Sequence, residues 1–286
     1  MATIRDIRRR IRSAKNIQQI TRAMKFVSAA RLRKAQGRVI AARPYARQML
    51  AVIQSLALHI GERTHPLLEE RDVRRIEVLV ITADRGLCGA YNTNVARQVV
   101  EFMTDRSPIS TELYVLGKKA RDFFRRRALA VRRESFGILQ SPAFAGAAAI
   151  AGSLIEDFER GGIDQVWMVY NEFKSVVNQR IVVDQLLPIP RIAADGASAE
   201  IEYLYDEPPD RLFDHLLRRH VEAQVYRALL EAAASEQGAR MTAMEAATNN
   251  AAEMIGNLTL YANKVRQAGI TREIIEVVSG AAHAGG

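Results

Sequence analysis

Apolar residues return every third or fourth position at both ends of this chain and follow a shorter period in its middle. From Ala35 onward the steps alternate four and three, through Val39, Ala42, Ala46, Met49, Ile53 and Leu56 to Ile60. Ile4, Ile7, Ile11, Ala14, Ile17, Ile20, Met24 and Val27 carry the same stripe with extra three-residue steps. That pattern is a coiled-coil seam with a local overwinding. Pro44 predicts a bend or brief irregularity near residue 43. At the other end, the prolines of "DEPPD" open a second helix. Its seam selects Ala223, Tyr226, Leu230, Ala233, Gln237, Arg240, Met244, Ala247, Ala251, Met254, Leu258, Tyr261, Val265 and Ala268, and only Gln237 and Arg240 are not apolar or aromatic. Gly238, Gly256 and Gly269 each weaken this helix by about 1 kcal/mol relative to alanine, which a continuous partner offsets. Roughly 70 residues at helical rise make a rod of about 105 Å.

Between the seams the period shortens. "IEVLVITA", "TELYVLG", "DQVWMVYNEF" and "NQRIVVDQLLPI" are β-branched and aromatic runs typical of strands. Helix-like stretches at Asn92–Met103, Lys118–Arg127 and Ala143–Arg160 alternate with the first three, which predicts a small α/β sheet, at least partly parallel. "DRSPIS" and "AADGASAE" read as loops at its edges. The expected organisation is a helix over 1–60, an α/β domain over 74–206 and a helix over 209–280. Two long seams flanking a compact domain are best satisfied by pairing with each other, antiparallel, into a shaft. The second helix is the longer, so one end of the shaft should project alone.

Charge sharpens this picture. Residues 1–47 carry 14 Lys and Arg against the single acid Asp6, while the remainder of the chain is net −4. The positive excess therefore lies on the first helix, in stretches such as "ITRAMKFVSAARLRKAQ", and it calls for an acidic partner: nucleic acid, a membrane surface or a protein. Few aromatics interleave with the arginines and no nucleic-acid-reading module is present, which disfavours nucleic acid. The Arg-rich amphipathic start has the look of a transit peptide, but its pattern continues too far along the chain for one. "PAFAGAAAIAGSLI" falls short of the roughly 20 apolar residues that a spanning helix needs, so no transmembrane segment is expected. The one cysteine, Cys88, excludes an internal disulfide.

Catalytic chemistry is hard to find. "VLVITADRGLCGAYNTN" runs from a strand through a glycine turn into a helix, the layout of phosphate cradles. Its spacing of Gly86, Gly89 and Ala90 matches neither dinucleotide fingerprint nor P-loop, and a plain tight turn is the better reading. No histidine lies near Cys88 to activate it. "HLLRRH" puts His215 and His220 on different helical faces, which disfavours a metal pair. No catalytic, cofactor or metal site is expected.

Three stretches carry a resemblance over the whole chain. "IRRRIRSAKNIQQITRAMKFVSAARLRKAQ", "ITADRGLCGAYN" and "ASEQGARMTAMEAATNNAAEMIGNLTLYANKVRQAGITREIIEVVSGA" are similar, in order and spacing, to the gamma subunits of F-type ATP synthases of the bacterial type. The resemblance implies an antiparallel coiled-coil shaft with a small Rossmann-like α/β domain between its helices. It implies a non-catalytic rotor that couples ion-driven rotation of a c ring to conformational change in a hexamer of alpha and beta subunits, with an epsilon subunit beside it. The implied location is peripheral, on the cytoplasmic face of the bacterial plasma membrane. Met24 and Lys25 match positions near an acidic lever segment of the beta subunits, close to Glu236 and Arg240. Arg266, Gln267 and Thr271 match positions that contact catch loops of the ring, and "EVVSGAAHAGG" matches the end seated in its apolar bearing. Phe26-Val27-Ser28 departs from the smaller residues usual in the family and changes the contact surface there.

Overall fold

The computed structural model describes residues 3–60, 65–176, 178–190 and 209–284. Helix α1 spans Ile4–Ile60 and α5 spans Pro209–Ala284. Between them lie β1 (Arg75–Ile81), α2 (Tyr91–Asp105), β2 (Ser110–Leu116), α3 (Lys118–Arg125), β3 (Val131–Ser135), α4 (Phe144–Glu159), β4 (Gln165–Phe173) and β5 (Gln179–Leu187). "AADGASAE" and the first residues of "DEPPD" lie outside the described residues, as do the side chains of Ala46 and Ile60. The chain divides into two compact units, Met1–Val27 with Met241–Gly286, and Ser28–Arg240.

The larger unit is built on a five-stranded sheet in the order β3-β2-β1-β4-β5. β1 pairs parallel with β2 and β4, β2 pairs parallel with β3, and β5 closes the edge antiparallel to β4. A central parallel strand is covered on both faces, so β1 is buried from Ile76 to Ile81. Ile76, Val78 and Val80 pack with Val95, Val99 and Phe102 of α2 and Phe124 of α3. Leu79 and Ile81 face the other core, where α4 meets Met49, Ile53 and Leu56 of α1 and Phe213, Leu217, Val221 and Val225 of α5. The alanine-rich α4 buries Ala147, Ile150, Ala151, Leu154, Ile155 and Phe158, a single helical stripe. Strand β3 escapes sequence analysis because "VRRES" has one apolar residue. It is an edge strand whose arginines are drawn inward by Glu77, a buried carboxylate on β1 bound by Arg133. Arg132 reaches Glu77, Glu112 and Asp157 from the same strand.

In the smaller unit, α1 starts from a reciprocal cap: Asp6 N–H donates to Thr3 Oγ1 at 3.3 Å, and Thr3 N–H donates back to Asp6 Oδ2 at 3.3 Å. The Thr3 hydroxyl also donates to Asp6 Oδ2 at 2.7 Å, and this bond most of all, then that from Thr3 N–H, holds the Asp6 carboxyl below its usual range. Thr21 and Thr248 share a hydroxyl hydrogen bond of 2.8 Å, and Lys25 Nζ pairs with Glu245 Oε1 at 2.6 Å. Residue numbers rise along α1 as they fall along α5, so the helices pair antiparallel here. Beyond Val265 every described side chain of α5 is exposed, in keeping with a projecting end.

The phase of the seam differs from expectation. Ile7, Ala14 and Thr21 are buried seven residues apart in the smaller unit, and in the larger Ser28, Leu32 and Val39 follow with steps of four and seven. Ile17, Ile20 and Val27 point outward, Ile20 being 59% exposed. On α5 the inward side runs through Met244, Thr248, Ala251, Ile255, Leu258, Ala262 and Val265, leaving Met254 and Tyr261 exposed. The hydroxyl of Thr21 takes its inward place by bonding to Thr248 across the pair, in a seam that also buries apolar Ile7 and Met244. The helix assignment also runs through Pro44 without a break.

His215 is exposed and His220 half-buried, on different faces of α5 as expected. Burial, with a smaller contribution from Arg227, pushes the His220 imidazole down to about 4. An unfolded chain binds a proton near pH 6.5, before the folded one does, so stability should fall as pH drops from about 6.5 to 4, by at most about 3 kcal/mol. His220→Gln should flatten that acid limb in urea unfolding midpoints measured across this range. An unchanged slope would assign the acid sensitivity to other groups.

Candidate functional site

The turn from β1 to α2 and the facing stretch of α5 form a buried polar cluster. Two left-handed residues, Leu87 at φ +61° and Gly89 at φ +58°, fold the turn tightly. Asn92 ties it from inside, accepting from Ala83 N–H at 2.9 Å and donating to Cys88 Sγ at 3.1 Å. Asp84 accepts from the N–H of Lys118, at the start of α3, at 3.1 Å and from that of Gly137 at 2.8 Å. Asp84 thus caps the start of α3 with a carboxylate, at the helix end where negative charge is favoured.

On the other side of the turn lies α5. Ala83, Cys88 and Tyr91 form a small buried cluster against Ala239. Tyr91 Oη donates to the Ala232 carbonyl at 3.0 Å. Arg240 is 8% exposed, pairs with Glu236 Oε1 at 2.7 Å and donates to the Gly86 carbonyl at 3.3 Å. Burial pushes the Glu236 carboxyl up while Arg240 draws it down, and burial also pushes up the Cys88 thiol and, far more, the Tyr91 phenol. Cys88 is buried, packed in this small cluster. From the sheet, Asn171 accepts from Ser235 Oγ at 3.1 Å through its backbone carbonyl, and Phe173 N–H donates to Glu231 Oε2 at 3.1 Å.

The residues singled out from sequence fall into three groups. Glu236 and Arg240 meet each other in the larger unit. Lys25 takes Glu245 as its partner in the smaller unit, beside half-buried Met24. Arg266, Gln267 and Thr271 are exposed on the projecting end of α5, where Thr271 Oγ1 donates to the Gln267 carbonyl at 3.0 Å. Sequence reasoning missed Asp84, Tyr91, Asn171, Glu231 and Ser235. The signal available was the run "EAAASEQGAR", whose small residues admit a close neighbour and whose polar residues need partners there. The outward Ile17 and Ile20, with Phe26 at 61% exposure and exposed Lys15 and Arg22, make α1 of the smaller unit both apolar and basic on its outer face. Among the described residues no group of His, Cys, Asp and Glu could hold a metal ion.

Comparison with known proteins places this geometry in context. The family described as ATP synthase matches residues 3–283. The chain is 48% identical to the ATP synthase gamma chain of Heliobacterium modesticaldum, covering 100% of both, and 49% identical to that of Solibacter usitatus, covering 99% of this chain and 100% of the relative. Among solved structures it is similar to a chain of the Tetrahymena thermophila mitochondrial ATP synthase central stalk and c ring, with TM-score 0.62 and 25% identity over 80% of this chain and 99% of that one. A chain of the Euglena gracilis mitochondrial ATP synthase shares the fold at TM-score 0.68 and 22% identity, over 99% of this chain and 95% of the other.

Proposed function

The chain belongs to the ATP synthase gamma-chain family, and from that premise we propose that it is the central rotor of such a complex, turning ion-driven rotation of a c ring into conformational change in an alpha/beta hexamer. The observation that carries this reading is the match to gamma chains along the full chain. The paired helices, with an apolar and basic outer face, supply the matching surface: a shaft turning inside a ring needs an exterior that a partner can grip at every angle. In this reading the subunit has no catalytic site of its own, and an epsilon subunit sits beside its α/β domain. No helix among the described residues is long and apolar enough to cross a membrane, so the chain attaches peripherally through its complex. We place it on the cytoplasmic face of a bacterial plasma membrane.

Within that role Met24 and Lys25 of α1 face acidic levers of the ring, and Glu236 and Arg240 brace the stretch of α5 that belongs to the larger unit. Arg266, Gln267 and Thr271, exposed beyond the paired part of α5, form a catch against the ring. The test is reconstitution. Mixed with its cognate alpha and beta subunits, the chain should enter the complex at one copy per ring and switch on steady ATP hydrolysis. Failure to bind the ring at every ionic strength would defeat the reading. Replacing Arg266 and Gln267 together by alanine should lower hydrolysis by the complex severalfold while leaving assembly intact, because both side chains are exposed and neither supports the fold. Unchanged turnover would make them ordinary surface.

A further inference from the structure

The sheet reverses its winding at β1. The chain steps outward from β1 to β2 to β3, then crosses by way of α4 to place β4 on the opposite flank of β1. In open α/β sheets such a reversal leaves a crevice beyond the carboxyl ends of the two central strands, and ligands settle there. In this chain α5 occupies that crevice. On the β1 lip it receives the hydrogen bond from Tyr91 to Ala232 and sends that of Arg240 to Gly86. On the β4 lip it sends that of Ser235 to Asn171 and receives that of Phe173 on Glu231. The helix also comes close in backbone terms: a Cβ on Gly238 would lie 3.4 Å from both the Phe173 ring and Gln179 Nε2.

We infer that this crevice is the joint through which the sheet domain turns α5, a role that rests on the rotor reading. Apolar packing is non-directional and resists slippage of a helix about its own axis only weakly. Hydrogen bonds lose energy steeply when bent or stretched, and a buried one has no water to replace it. Bonds from two lips of a crevice oppose rotation of the helix in either sense. The small residues Ala228, Ala232 and Ser235, fully buried along this stretch, leave no long side chain between helix and sheet to flex. Tyr91 and Ser235 are thus positioning residues that transmit torque, and the site that binds a cofactor in other α/β domains here binds the chain's own shaft.

The experiment uses the reconstituted alpha/beta complex fixed to a surface through its ring, with a gold particle attached to the sheet domain through Arg126→Cys, an exposed position on the domain's surface. The angular spread of the particle during a catalytic dwell reports the stiffness between domain and ring. Tyr91→Phe with Ser235→Ala removes two of the four hydrogen bonds described while conserving most of the volume, and the stiffness should fall about twofold. Should the double variant fail to enter the ring, Ser235→Ala alone should give a smaller widening of the same kind. An unchanged spread overturns the joint, and it does so equally if thermal stability has dropped, since that pattern belongs to ordinary packing. If the unaltered chain neither enters the ring nor rotates, the rotor reading itself falls and takes the joint with it.

Discussion

Arg240→Ala should cost the larger unit about 3–5 kcal/mol, the loss expected when one partner of a buried ion pair is removed. Arg240 and Glu236 are both nearly buried, and Arg240 also caps the Gly86 carbonyl. Without the guanidinium, Glu236 keeps the full burial penalty that already pushes its carboxyl up, with Asp84 adding to it. The sign of the pH dependence follows. A carboxyl whose folded pKa lies above its unfolded value binds more protons when folded, so stability falls as pH rises from the unfolded pKa through the folded one. The deficit of Arg240→Ala should therefore be largest at neutral pH and shrink as pH is lowered through the elevated range of Glu236. Chemical denaturation across pH 5–8 measures this, and a pH-independent deficit would count against an uncompensated carboxylate. Adding Glu236→Gln to Arg240→Met, a neutral pair of similar volume, should recover most of the loss. In the assembled complex Arg240→Ala should also slow turnover, because it loosens the turn that grips α5.

Gly117→Ala is the second large effect. Gly117 lies between β2 and α3 at φ +111°, and a Cβ there would overlap the Thr82 carbonyl oxygen, 2.6 Å from the carbonyl carbon and 2.8 Å from Oγ1. The obstacle is backbone, not a side chain that can swing away. Thr82 itself is locked, donating from its N–H to the Leu116 carbonyl at 2.8 Å and accepting from Ala120 N–H on Oγ1 at 3.2 Å. Relief must come from separating β1 from the start of α3, at an expected cost of about 3–5 kcal/mol. That is a large part of the stability of an ordinary domain, so much of the variant should be unfolded or insoluble. Gly137→Ala is the control. It also has positive φ, +80°, but nothing lies within 4 Å of its added Cβ, so only the backbone strain of about 1–2 kcal/mol applies. Comparable losses in thermal unfolding of the two variants would show that the contact with Thr82 is not the cause.

Much of the fold was legible in the residues. Periodicity located α1 to α5 and four strands, because each has an apolar side to bury. β3 was not legible: its strand character comes from pairing with β2 and from the pull of Glu77 on Arg132 and Arg133, neither of which leaves an apolar alternation. The absence of a nucleotide fingerprint in "ADRGLCGAYN" was readable as spacing, whereas the bonds Asp84 accepts from Lys118 and Gly137 were not, since those partners are distant in sequence. Glu236 was reached only through the resemblance, whereas Gln237 and Arg240 stood out as polar residues in an apolar seam. Tyr91, Asn171 and Ser235 did not, because tyrosine, asparagine and serine are unremarkable until something is packed against them.

The amino-acid sequence by itself determined that two long helices flank an α/β domain, that they pair, that the first is one-sidedly basic, and through three long motifs that the chain is a gamma chain. Each of these depends on period, composition or order, which a chain displays without folding. Only the tertiary structure decided which residues of the seam lie inside. Thr21 and Ser28 are buried while Ile17, Ile20 and Val27 are turned outward. Hydrophobicity ranks side chains by their preference for leaving water, but it does not say whether they leave it against the chain itself or against a partner. Here the hydrogen bond between Thr21 and Thr248 holds a polar pair inside, and Ile17, Ile20 and Val27 are left for the surface that a ring would cover.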